Sequence, residues 1–295
     1  MNSRTSRHYL LIFALAAATF GCSVTERHQS TIRQTWQGSF RQLEVEEVQG
    51  SVTVEAGASD RIELEATIYS PGKPKEVRAS DYFTVSVEGD RLHVERVKGS
   101  RHSRWFSFGH DHREVHYHFR VPATVALELQ TVNGRIATRG IDGESRLVTV
   151  NGRIESETTG NHGLYARTVN GHVRAKFLSS FQGATFKTVN GGVEAILPSS
   201  ASFTVDLSQV NGDFEASFPL SIHSNPGSRR VSGEVNGGRH ELSIVTVNGD
   251  VELEVIGQRK ADDDELEPDE PVVPEVPEAP EVPEAPAAPS APVTE

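Results

Sequence analysis

Five of the twelve histidines fall between residues 101 and 118, in the run Arg-His-Ser-Arg-Trp-Phe-Ser-Phe-Gly-His-Asp-His-Arg-Glu-Val-His-Tyr-His. Side chains two residues apart on a strand project to one face. His110 with His112, and His116 with His118, thus have the spacing to offer paired imidazole nitrogens to a metal ion, while Asp111 points away. The same residues also read as a surface hairpin in which Trp105, Phe106 and Phe108 pack and the histidines face water. A third reading stacks those rings on a sugar.

Other chemistry is scarce. The chain has no His-Glu-x-x-His, no Gly-x-Ser-x-Gly, no phosphate loop and no dinucleotide fingerprint. Its one cysteine excludes both an intrachain disulfide framework and a cysteine-rich zinc site. A net charge of −12 argues against nucleic acid as a partner. No catalytic residue and no cofactor is assigned, and the chain is read as non-enzymatic.

The single cysteine has a telling position. Arg4 and Arg7 precede an apolar run from Tyr9 to Phe20, too short for the roughly 20 residues that span a bilayer. A basic start and a short apolar run read as an export signal. The run ends Thr19-Phe20-Gly21-Cys22, which resembles the lipobox of bacterial lipoproteins. That resemblance implies lipidation of Cys22, a membrane partner through the lipid, and, with Ser23 next, sorting to the outer membrane in a Gram-negative cell.

The C-terminus has a different composition. Nine of the fifteen prolines recur at every third residue from Pro268 to Pro292, and Glu275, Glu278, Glu281 and Glu284 keep the same period. Polyproline II has three residues per turn, so the prolines line one edge and the glutamates another. Residues 261–295 hold twelve carboxylates and neither Lys nor Arg, which accounts for the entire net charge. Such a segment lacks the apolar surface to bury and is expected to be a disordered, extended spacer.

Between these ends lies a repeat. Val-Asn-Gly occurs at 132–134, 150–152, 169–171, 189–191, 210–212, 235–237 and 247–249, and Val48-Gln49-Gly50 is a degenerate copy. Thr131, Thr149, Thr168, Thr188 and Thr246 precede five copies, and an apolar residue (Ile136, Ile154, Val173, Val193, Phe214, Val251) follows the Gly by two in six. The flanks alternate between apolar and polar residues, a strand period.

Two all-β architectures fit. Asn-Gly between alternating runs is a hairpin signal, which allows an antiparallel meander or barrel. In a parallel β-solenoid (β-helix), coils of about 20 residues stack at about 4.8 Å. Asn133, Asn151, Asn170, Asn190, Asn211, Asn236 and Asn248 would then form an amide ladder, with Gly supplying the positive φ of the corner. A hairpin accepts several residues at its turn. A ladder requires the same residue on every rung, so the identical copies favour the solenoid.

The Thr-Val-Asn-Gly-x-aliphatic repeat on an exported chain resembles a bacterial domain-of-unknown-function family labelled as candidate adhesins. The resemblance covers roughly residues 40–256. It implies a right-handed β-solenoid at the cell envelope and brings no catalytic residues. The expected organisation is a lipoprotein signal peptide over 1–21, a tether over 22–39, the repeat domain over 40–257 and the acidic tail over 258–295. The expected role is structural or adhesive, with an envelope protein or glycan as partner. The alternative is a binding module that uses residues 101–118 for a metal or a glycan.

Overall fold

The computed structural model describes residues 13–14, 27–71, 77–97, 114–220, 223–224 and 230–257. Cys22, His110, His112 and the proline-rich tail lie outside them. The chain divides into two units, Met1–Gln258 and Arg259–Glu295, and every described residue belongs to the first.

The described residues form twenty-two strands and no α-helix. In chain order these are β1 (Phe13–Ala14), β2 (Arg27–Gln37), β3 (Gln42–Glu46), β4 (Val52–Ala56), β5 (Arg61–Pro71), β6 (Phe83–Glu88), β7 (Arg91–Arg96), β8 (Glu114–Val121), β9 (Ala126–Gln130), β10 (Ile136–Ile141) and β11 (Ser145–Val148). There follow β12 (Ile154–Thr158), β13 (Leu164–Arg167), β14 (Val173–Phe177), β15 (Ala184–Lys187), β16 (Val193–Leu197), β17 (Phe203–Asn211), β18 (Phe214–Ala216), β19 (His223–Ser224), β20 (Arg230–Val235), β21 (His240–Asn248) and β22 (Val251–Val255).

These strands make two sheets. Sheet 1 runs β1-β2-β5-β8-β4-β10-β12-β14-β16-β22-β18, and sheet 2 runs β19-β20-β17-β21-β15-β13-β11-β9-β3-β7-β6. Six of the seven Val-Asn-Gly copies carry the chain from sheet 2 to sheet 1, and the copy at 235–237 joins β20 to β21 within sheet 2. A second corner brings it back, so one coil is two strands and two corners. Pairing between coils is parallel, as in Ile136 opposite Ile154 opposite Val173 opposite Val193. The architecture is a β-solenoid-like stack. Antiparallel pairing is confined to the two ends, where β2, β5 and β8 flank one side and β17 and β20 the other. The meander therefore does not describe the repeats.

The stack does not follow chain order. Strands β7 and β8 pair outside β3 and β4, and β21 and β22 insert between the β15–β16 coil and the β17–β18 coil. Both ends thus exchange their last two coils.

The alternation in sequence becomes an interior of columns. Val52, Ile136, Ile154, Val173, Val193 and Val251 stack in sheet 1, facing Val45, Leu129, Leu147, Ala166, Phe186 and Ile244 of sheet 2, all buried. Parallel in-register stacking lets identical or similar side chains pack at each level, so removal of apolar area from water is the main stabilising contribution. The expected tether needs correction. Residues 27–37 form β2, because Ile32, Gln34 and Trp36 alternate into the interior against β5.

Candidate functional site

The Asn corner is built of three interlocking contacts. First, the amide Nδ2 of Asn151 donates to Asn133 Oδ1 at 2.8 Å, Asn170 to Asn151 at 2.7 Å and Asn190 to Asn170 at 2.8 Å. The series continues with Asn248 donating to Asn190 at 3.0 Å and Asn211 to Asn248 at 2.7 Å. Second, Thr149 and Thr168 donate their hydroxyls to the carbonyls of Gly134 and Gly152 on the preceding coil, at 3.1 and 3.0 Å. Third, a Cβ at Gly152 would stand 1.9 Å from Gly134 O, and at Gly171 1.9 Å from Gly152 O.

This last contact changes the reason for the glycines. Positive φ was the expectation, and it holds at Gly191, Gly212, Gly237 and Gly249, but φ at Gly134, Gly152 and Gly171 lies outside the left-handed range. Glycine is required there because the backbones approach too closely for any side chain.

Asn236 does not join the ladder. It occupies the connection from β20 to β21 with φ 47, and its Nδ2 donates to Ser199 O at 3.1 Å and Ala201 O at 2.8 Å. The connection passes over the start of β17, which lies between β20 and β21 in sheet 2. The amide therefore fastens the chain entering β17 instead of stacking.

His116 and His118 share the outer face of β8 but address different partners. His116 Nδ1 lies 2.7 Å from Ser51 Oγ and its Nε2 3.0 Å from Glu114 Oε1. His118 Nε2 lies 3.3 Å from Glu55 Oε2. The structure does not converge the two imidazoles on one point.

At the degenerate copy, Glu47 stands where five of the seven other copies have Thr. Its carboxylate is buried and accepts from Tyr117 Oη at 2.8 Å, from Arg96 Nη1 and from the backbone N–H groups of Val48 and Gln49 at 2.7 and 3.1 Å. Burial first, and then the neighbouring carboxylate, push the Tyr117 phenol far above its ordinary pKa. A phenol held neutral and donating to a fully satisfied carboxylate is a structural strut, not a proton-transfer pair.

A family model described as Toastrack DUF4097 matches residues 17–254, most of the chain. The chain belongs to the Toastrack DUF4097 family. No curated protein matches this Toastrack sequence. Among solved structures it is similar to a candidate cell adhesion protein from Clostridium sporogenes, at 8% identity over 78% of this chain and 100% of that one, with a TM-score of 0.44. It is also similar to a candidate lipid binding protein from Parabacteroides distasonis, at 11% identity over 76% and 96% with a TM-score of 0.33. A candidate adhesin from Bacteroides fragilis matches at 8% identity over 76% and 96%, with a TM-score of 0.29.

The outer face of sheet 1 in the Toastrack chain is a lattice of opposite charges. Arg139 meets Glu55 at 3.1 Å, Arg174 meets Glu194 at 3.3 Å, Lys176 meets Glu157 at 3.6 Å, and Arg135 binds Glu155. All of these but Glu194 line a shallow groove of about 360 Å³. Cross-strand ion pairs of this kind set register more than they bind ligands. Among the described residues, no helix is long and apolar enough to cross a membrane.

Sequence reasoning missed a cluster on the opposite face. Glu44, Glu46 and His93 bring two carboxylate oxygens and one imidazole nitrogen within 4.8 Å of one another. Glu44-x-Glu46 has the one-face spacing of a strand, but His93 is remote in sequence. Only the parallel register of β3 on β7, with Glu44 opposite His93, joins them.

Proposed function

We propose that this Toastrack chain is a non-catalytic, adhesin-like element of the bacterial envelope, held to the membrane by lipid on Cys22 and reaching outward through its acidic tail. One observation carries the adhesive reading. The valine of the repeat faces solvent along the ladder: Val48, Val132, Val150, Val189, Val210 and Val247 are exposed and Val169 half-buried, while Val235, off the ladder, is buried. Scattered exposed valines need no explanation, but an apolar stripe in register along a rod is a surface for association. The polar groups of the same motif are already engaged between coils and are not free for catalysis.

A second reading, a binding module for a metal or glycan through residues 101–118, is favoured by the shared outward face of His116 and His118. The test compares cells carrying the wild-type chain, a deletion, a combined Val132→Ser, Val150→Ser and Val189→Ser variant, and Cys22→Ser. The valine variant and the deletion should both lower attachment between cells, and Cys22→Ser should move the protein to the soluble fraction. Firm retention needs more than one acyl chain, because a single chain binds marginally. Attachment unchanged by the deletion contradicts the adhesive reading, and membrane-bound Cys22→Ser protein contradicts the anchor.

A further inference from the structure

We infer that Glu44, Glu46 and His93 form a binding site for a divalent transition-metal cation, with Zn²⁺ the best match, clamping the outermost repeat coil to its neighbour. The placement follows from the register. Leu43 and Val45 of β3 and Leu92 and Val94 of β7 are buried, so Glu44, Glu46 and His93 all project from the outer face of sheet 2. Glu44 and His93 are directly opposite on adjacent parallel strands.

Two features point to a ligand instead of a solvated acidic patch. His93 Nε2 is shielded from solvent and has no hydrogen-bond partner among the described residues, although imidazole nitrogens so placed are ordinarily paired. Glu46 makes no salt bridge among the described residues and lies on β3 opposite Glu95 of β7. Arg91 is the nearby cation, 3.8 Å from Glu44, and it also donates to Gln42 at 3.0 Å. From β9, Glu128 and Gln130 face the same region, with Glu128 3.7 Å from Arg146.

The donor set selects the metal class. One imidazole and two carboxylates is a three-ligand set of the kind that holds Zn²⁺ with a fourth position open. Calcium prefers six to eight oxygens, and the imidazole disfavours it. Bonds of about 2.0 Å place tetrahedral ligands about 3.3 Å apart, so ligand atoms within 4.8 Å of one another close on a cation by rotation of the half-buried Glu44 and exposed Glu46 side chains. Glu44 and Glu46 belong to the β3–β4 coil and His93 to the coil stacked outside it, so the cation would bridge the exchanged pair of coils.

The experiment titrates the chelator-stripped full chain with Zn²⁺ alone by calorimetry, against His93→Ala and Glu44→Gln. A second series carries His110→Ala, His112→Ala, His116→Ala and His118→Ala in every protein, which removes the other histidine cluster. The expected result is one equivalent of Zn²⁺ that persists in the second series and weakens at least tenfold in both site variants. Zn²⁺ should raise the melting temperature of the parent and not of His93→Ala, while the metal-free melts agree. Zn²⁺ binding that survives His93→Ala, disappears in the second-series parent, or yields to equimolar Ca²⁺ would overturn the site.

Discussion

The side-chain amide of Asn248 donates to Asn190 Oδ1 at 3.0 Å, although 58 residues separate them. Between them in sequence lies Asn211, which stacks one rung further out, on Asn248. The chain therefore lays down the β17–β18 coil first and then slips β21 and β22 underneath it. The same exchange occurs at the other end, where β7 and β8 stack outside β3 and β4. In both places antiparallel strands cover the final coil, and an open edge that could pair with another chain is shortened.

Close backbone approach makes a sharp prediction at the glycines. Gly152→Ala places a Cβ 1.9 Å from Gly134 O, which forces two coils apart. Overpacking of this kind costs about 1–3 kcal/mol or more. Gly163→Ala meets nothing within 4 Å and should fall within about 0.5 kcal/mol of wild type. Denaturant unfolding of both proteins checks the contrast, and equal losses would contradict the crowding argument.

The two hydrogen-bonded rungs should differ in strength. Asn170 is exposed, so water replaces its partners on mutation, and Asn170→Ala should cost about 0.5–1.5 kcal/mol. Thr168 is buried, and Thr168→Val leaves Gly152 O without its side-chain donor, at about 1–3 kcal/mol. Urea melts that rank Asn170→Ala as the more damaging change would reverse the assignment.

Tyr117 sets an alkaline limit. Its folded-state pKa is raised by burial and by Glu47, so the folded protein keeps the phenol protonated. The unfolded chain ionises it near pH 10. Its contribution is therefore complete below about pH 10 and declines above it, by about 1.4 kcal/mol per pH unit. Tyr117→Phe removes a donor to Glu47 and should cost about 1–3 kcal/mol at pH 8. The gap between the two proteins should narrow at pH 11, and a constant gap in urea melts would contradict the buried neutral phenol.

How far the sequence speaks follows from these residues. The identical Thr-Val-Asn-Gly copies were legible because a stack makes the same demand at every rung, and strand alternation was legible because one face is buried. The coil order was not. Asn211, Asn236 and Asn248 sit in the same Val-Asn-Gly tripeptide, and only long-range pairing decides that Asn236 fastens residues 199–201 while Asn248 takes the rung beside Asn190. The glycine requirement was legible in identity but only partly in cause: positive φ holds at Gly191, Gly212, Gly237 and Gly249, while crowding between coils is invisible in a single copy. Glu47 was hidden because it substitutes for Thr with a different set of partners, and His93 was hidden because its neighbours come from another coil.

The central claim is that the repeat exists to stack coils, in the order Asn190, Asn248, Asn211. Disulfide trapping in a Cys22→Ser background tests it most directly. Adjacent rungs at about 4.8 Å are within the Cα separation that a disulfide spans, and rungs two apart, at about 9.6 Å, are beyond it. Under mild oxidation, the protein carrying Asn190→Cys with Asn248→Cys should crosslink, and the one carrying Asn190→Cys with Asn211→Cys should not. Crosslinking of the 190 and 211 pair, with none between 190 and 248, would contradict the stacking order and the account built on it.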